Sequence, residues 1–161
     1  MVFVDAPGRR HVRWRWATPL VLVLCIGAYA VLAVVDRAAH DALLLRWGAL
    51  SAAAADWRSL LEPERAATLV TTLGLHSSGT HLLGNMLFLL VFGLPAERAL
   101  GSWRLLLLFL LGGALSNFVA ALSMDRPDRV IIGASGAVST LIGAYLALFP
   151  NARLGVVLPL G

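Results

Sequence analysis

The feature that most constrains this chain is an apolar run too short to cross a membrane from surface to surface, opened by a serine among small residues. From Ser135 to Phe149 there is no charge and no proline, and Pro150-Asn151-Ala152-Arg153 stops the run. As a helix these 15 residues reach only ~22 Å, against a hydrocarbon core of ~30 Å. The helix must therefore begin below one bilayer surface, with the chain reaching it as non-helical backbone through Arg129 to Ala134. Such backbone survives at membrane depth only where it is buried in protein or lines a wet cavity. A hydroxyl there, between Gly133 and Gly136 and on the positive end of a helix dipole, is a candidate nucleophile. The competing reading is a packing face, because Gly136, Ser139 and Gly143 recur at helical spacing. On this stretch alone both stand open.

Composition narrows the surroundings. Of 161 residues, 59% are hydrophobic and 14% charged, with a mean hydropathy of +0.81. That balance belongs to an all-α polytopic membrane protein, not to a soluble domain. The formal charge of +4 comes from 13 arginines and no lysine. These arginines flank apolar runs instead of forming a patch, so they report membrane topology and no nucleic-acid partner is expected. Cys25 is the one cysteine; lying inside an apolar run, it reads as a small core residue. No metal site and no cofactor is expected, and the oligomeric state is left open.

In order, residues 1–17 are a basic leader with Arg9, Arg10, His11, Arg13 and Arg15 interleaved with Trp14 and Trp16. Residues 18–161 form one membrane domain, with spans at about 18–35, 80–100, 105–124 and 135–149 and a long loop at 36–79. In that loop Leu43-Leu44-Leu45 and Ala49 to Ala55 read as short amphipathic helices on the membrane. The clustered leader puts the N-terminus in the cytoplasm, and alternation puts the loop and the polar turn Ser123–Arg129 outside.

This topology aligns two spans. The second and fourth run in the same direction, so their N-terminal ends share a leaflet. His81 and Asn85 are four apart, on one helix face, with Asn85 about 6 Å deeper. That is the depth inferred for Ser135, where polar side chains are costly unless they pair or face a cavity. The bland alternative is a helix-to-helix hydrogen bond. Amide hydrolysis needs a nucleophile, a base and donors for the developing oxyanion. Ser135 suits the first role, and its backbone N–H, with His81 and Asn85, suits the third. No good base is evident: His11 lies on the wrong side, His40 in the loop, and His76 a turn or more before His81.

His76-Ser77-Ser78-Gly79-Thr80-His81-Leu82-Leu83-Gly84-Asn85-Met86, then Glu97-Arg98-Ala99-Leu100-Gly101, then Gly133-Ala134-Ser135-Gly136-Ala137, resemble the rhomboid family of intramembrane serine proteases in order, spacing and depth. The likeness covers roughly Thr68 to Leu158. It implies a rhomboid-like helical bundle with four transmembrane helices in this chain. It also implies a serine endopeptidase that cleaves transmembrane protein substrates in or near their spans. By the same resemblance Ser135 is the nucleophile, and His81, Asn85 and the Ser135 N–H form the oxyanion hole. Gly133 and Gly136 are active-site backbone, His76 ends the outer loop, and Glu97 is a structural ion-pair residue.

Two departures are visible. The family's base is a histidine on a sixth helix, whereas this chain continues for 26 residues past Ser135. Residues 1–161 are therefore expected to be the N-terminal part of such a protein, truncated before the fifth and sixth helices and inactive by themselves. Position 139 is Ser where some relatives carry an aromatic. The rival expectation is a non-catalytic rhomboid-like protein that binds membrane segments, and more remotely a transporter fragment. The expected location is an integral, multi-pass protein of a bacterial plasma membrane, with the lipid bilayer as its surroundings.

Overall fold

The computed structural model describes residues 15–52, 54–124 and 129–152. Nearly all of the basic leader, the turn Asp125-Arg126-Pro127-Asp128 and Arg153 lie outside the described residues.

Three helices are long and apolar enough to cross a membrane: α1 (Ala17–Val34), a broken helix over Gly79–Leu100, and Ser102–Ser123. Between the first two lie α2 (Arg37–Trp47), the strand β1 (Ala49–Leu50), a 3-10 helix Ala54–Leu61, α3 (Pro63–Thr71) and a 3-10 turn Thr72–Gly74. We label Gly79–Leu100 α4 and Ser102–Ser123 α5. Then come β2 (Val130–Ile131) and α6 (Ser135–Leu148), the short apolar helix. Helices thus lie within a few residues of the expected bounds, and Arg129 to Ala134 is non-helical.

Local chemistry sets the boundaries. Asp36 caps α2 by accepting the Ala39 N–H at 2.9 Å. Pro63 opens α3 at a position where no N–H is needed. Within α4, one π turn at Leu89–Gly93 precedes Pro95, whose ring can neither donate nor continue the regular ladder. Gly101, at φ +86, turns the chain from α4 into α5. The loop corrects one expectation: Leu43 to Leu45 are helical, but Ala49 and Leu50 are extended. They pair antiparallel with β2, Ala49 opposite Ile131 and Leu50 opposite Val130. The backbone approaching Ser135 has unpaired groups to satisfy, and this strand satisfies them.

The core gathers buried residues of α1, α4, α5 and α6, and its closest seam lies between α5 and α6. On α5 the buried positions Leu105, Phe109, Gly113, Asn117 and Ala121 form one row four residues apart. Against it α6 buries Ala137, Val138, Leu141 and Tyr145. A Cβ on Gly136 would collide with Ser116, and one on Gly113 would lie 2.9 Å from the Ala137 Cβ. The backbones can meet closely only because these residues are small. The small-residue positions of α6 divide here. Gly136 packs, but Ser139 and Gly143 are exposed, and among the described residues nothing lies within 4 Å of a would-be Cβ on Gly143.

Glu97 is 1% exposed, and its partners also differ from expectation. No ion pair holds it among the described residues. It accepts the N–H groups of Ala17 at 2.9 Å and Thr18 at 3.0 Å and the Ser102 hydroxyl at 2.5 Å. The first N–H groups of any helix lack intrahelical partners and carry its positive end, so a buried carboxylate satisfies both needs of α1 at once.

Candidate active site

The segment ahead of Ser135 is held from three sides. Arg129 is fixed by Ser51, whose N–H donates to the Arg129 carbonyl and whose hydroxyl accepts the Arg129 N–H, both at 2.8 Å. Next, Thr72 grips both sides of Ile132: its hydroxyl donates to the Ile131 carbonyl, and its own carbonyl accepts the Gly133 N–H at 3.1 Å. Finally, Gly133 sits at φ +119, a conformation that L side chains rarely adopt. Ser135 follows as the first residue of α6, exposed, with its N–H among those the helix leaves unpaired.

The third hold is the start of α4. Ser78 caps that helix by accepting the His81 N–H at 3.2 Å, which fixes the backbone from which the imidazole projects. The ring lies against Gly133: a Cβ there would be 2.7 Å from Cε1 and 3.0 Å from Nε2, but 3.9 Å from Nδ1. On the opposite edge, Nδ1 is 3.2 Å from the Ser77 hydroxyl. One turn along, Asn85 is 6% exposed and donates one amide hydrogen to the His81 carbonyl at 3.1 Å. An amide carries two donors, so a second remains.

His76 is 2% exposed. Its Nδ1–H donates to the Gly74 carbonyl at 3.2 Å, and Nε2 is buried without a partner among the described residues. Its ring meets that of His81 edge to face, with centroids 5.2 Å apart. Burial lowers its pKa below the ordinary histidine value, partly offset by the bond to Gly74, and the neighbouring His81 pushes in the same direction as burial.

The structure thus brings the His81 ring onto the glycine two residues ahead of Ser135, and places Gly133 and Gly136 on either side of that serine. Asn85 lies one turn from His81 on the same helix, its amide partly used within its own helix. Sequence reading missed Thr72, Ser51 and Ser77. Only Ser77, four residues before His81, had a spacing that could have revealed it.

A Rhomboid domain family model matches residues 63–160, more than half of the chain. Curated relatives include "RHOMBOID-like protein 6, mitochondrial" of Arabidopsis thaliana, 32% identical over 58% of this chain and 30% of its own length. "Putative rhomboid protease YdcA" of Bacillus subtilis is 38% identical over 54% of this chain and 44% of its own length. "Presenilin-associated rhomboid-like protein A, mitochondrial" of Danio rerio is 33% identical over 58% and 25%. The chain spans less than half the length of each of these relatives. They come from a plant, a bacterium and a fish, so the likeness does not carry the expected bacterial plasma membrane.

Proposed function

The chain belongs to the rhomboid family and is an integral membrane protein, and on that premise we propose that it carries the nucleophile and oxyanion hole of an intramembrane serine endopeptidase. Its substrates in this reading are membrane proteins, cut within or beside a transmembrane segment. The observation that carries the reading is the His81 imidazole packed on Gly133, two residues ahead of an exposed serine at a helix start.

The chemistry follows the needs of acyl transfer. The Ser135 oxygen attacks the scissile carbonyl carbon while its proton passes to a base. The carbonyl oxygen becomes an oxyanion, stabilised by the Ser135 N–H, the His81 ring N–H and the free Asn85 amide hydrogen. Collapse of the intermediate breaks the carbon–nitrogen bond, the base returns the proton to the departing amine, and water then releases the acyl group. We assign the base to a histidine outside residues 1–161, as the resemblance implies. His76 is not suited to that role, because its Nδ1 is bonded to Gly74 and its Nε2 is enclosed.

The domain reading is proposed with it: residues 1–17 as a basic cytoplasmic leader and 18–161 as part of the rhomboid membrane domain. The test is direct. In the protein as the cell makes it, a fluorophosphonate probe labels Ser135, and both labelling and cleavage of a single-span substrate disappear in Ser135→Ala. Labelling that survives Ser135→Ala overturns the nucleophile assignment. Absence of both labelling and cleavage in the parent protein points to a family member that binds membrane segments without cutting them.

A further inference from the structure

A neutral imidazole donates from only one of its two nitrogens, so His81 can serve an oxyanion only if the proton is on the correct side. The structure distinguishes the two sides. The Cε1–Nε2 edge faces Gly133, and Nδ1 faces the Ser77 hydroxyl at 3.2 Å. The N–H of Gly133, the residue that the Nε2 edge faces, is already committed to the Thr72 carbonyl. A lone pair on Nε2 would therefore find no donor in that N–H, whereas a hydrogen there would face the segment leading to Ser135.

We propose that Ser77 is a positioning residue that sets the tautomer of His81: its hydroxyl donates to Nδ1 and so keeps the ring proton on Nε2, the nitrogen turned toward Gly133. This rests on the reading of His81 as an oxyanion donor. Ser77 has no contact with substrate in it; it acts through the ring, as the partner of the non-reacting nitrogen does in other functional histidines. A hydroxyl suits the task because it rotates to donate where a carbonyl can only accept. His76 shows the opposite outcome one residue away: bonded to a carbonyl, its Nδ1 must carry the hydrogen and its Nε2 the lone pair.

The protein as the cell makes it, labelled with nitrogen-15 histidine, in detergent micelles at about pH 8, above the ordinary histidine range, provides the test. Signals are assigned by their loss in His81→Gln. The parent chain should show His81 with a pyridine-like Nδ1 and a pyrrole-like Nε2. Ser77→Ala should shift His81 toward the other tautomer, and Ser77→Thr, which keeps the hydroxyl, should retain the parent pattern. Because Ser77 is exposed, alanine opens no cavity, and Ser77→Val is a second hydroxyl-free variant. In the whole protein Ser77→Ala should lower kcat with KM nearly unchanged, by up to about 10², the cost of losing one oxyanion donor. A protonated Nδ1 in the parent, or a His81 spectrum indifferent to loss of the hydroxyl, overturns the proposal. Failure of the protease reading would appear elsewhere, as probe labelling that survives Ser135→Ala, and would leave the tautomer result intact.

Discussion

The His81 imidazole and the Gly133 backbone are in such close contact that a single added carbon on the glycine would lie 2.7 Å from the ring. This relationship joins the first turn of α4 to the strand-like approach to α6, two parts of the chain separated by the whole of α5. It also explains why glycine is required at 133 for two independent reasons: φ is +119, and the space for a Cβ is already filled.

Gly133→Ala therefore meets both obstacles. The strained backbone costs about 1–3 kcal/mol, and the reduced freedom of the unfolded chain returns only about 0.4–1 kcal/mol. The ring must also move. The variant should unfold at lower temperature in detergent, and its fluorophosphonate labelling at Ser135 should fall by more than the loss of folded protein accounts for. Parent-like labelling per folded molecule would mean that the His81–Gly133 contact has no bearing on the serine.

What was legible in the sequence follows from the range of each signal. The helix beginning at Ser135 was readable because an apolar run shorter than the membrane has a physical consequence. His81 was readable because a polar residue at that depth needs a reason. The pairing of Ala49–Leu50 with Val130–Ile131 was not, since two-residue strands carry no period. Nor was the Glu97 arrangement: a buried carboxylate suggests an ion pair, and nothing local reveals that its acceptors' partners are N–H groups 80 and 79 positions away. The small-residue stripe left two readings open because helical spacing says which residues share a face, not whether a neighbour covers it.

Glu97→Gln tests the carboxylate as a helix-end partner. Where the carboxylate presents two acceptors to the Ala17 and Thr18 N–H groups, the amide presents one acceptor and one donor. Hydrogen bonds to a charged group contribute about 1.5–3 kcal/mol, and a buried N–H would be left facing an amide hydrogen. Thermal or denaturant unfolding should show a loss of about that size, with Ser102→Ala losing less because the two backbone bonds remain. Equal stability of Glu97→Gln and the parent would refute the cap.

His76 should make stability depend on pH. Its folded pKa lies below the ordinary value near 6.5, because burial disfavours the cation and Nε2 has no acceptor for a second hydrogen. Below that value the unfolded chain takes up a proton that the folded chain resists, so unfolding becomes easier as pH falls. The effect is absent above about 6.5, grows as pH drops through it, and levels off once the folded ring also protonates. His76→Gln should flatten this part of the profile. An unchanged slope would place the titrating group elsewhere.

Thr72 makes the most localised prediction. It is fully buried, and its hydroxyl and carbonyl hold the Ile131 carbonyl and the Gly133 N–H, the two backbone groups flanking Ile132. Thr72→Val keeps the shape and removes only the hydroxyl, leaving the half-buried Ile131 carbonyl without that donor. Losing that bond at a half-buried, strand-paired carbonyl costs about 0.5–1.5 kcal/mol net. Thr72→Ser keeps the donor and loses one methyl, worth about 1 kcal/mol of burial and packing. If Thr72 acts only on stability, both variants should unfold at lower temperature and label equally at Ser135 once corrected for folded protein. If it positions the approach to the nucleophile, Thr72→Val should also label more slowly per folded molecule, while Thr72→Ser labels at the parent rate. The second outcome is expected, because Gly133 is held on one side by Thr72 and on the other by His81. Freeing the first hold lets the backbone drift from the second.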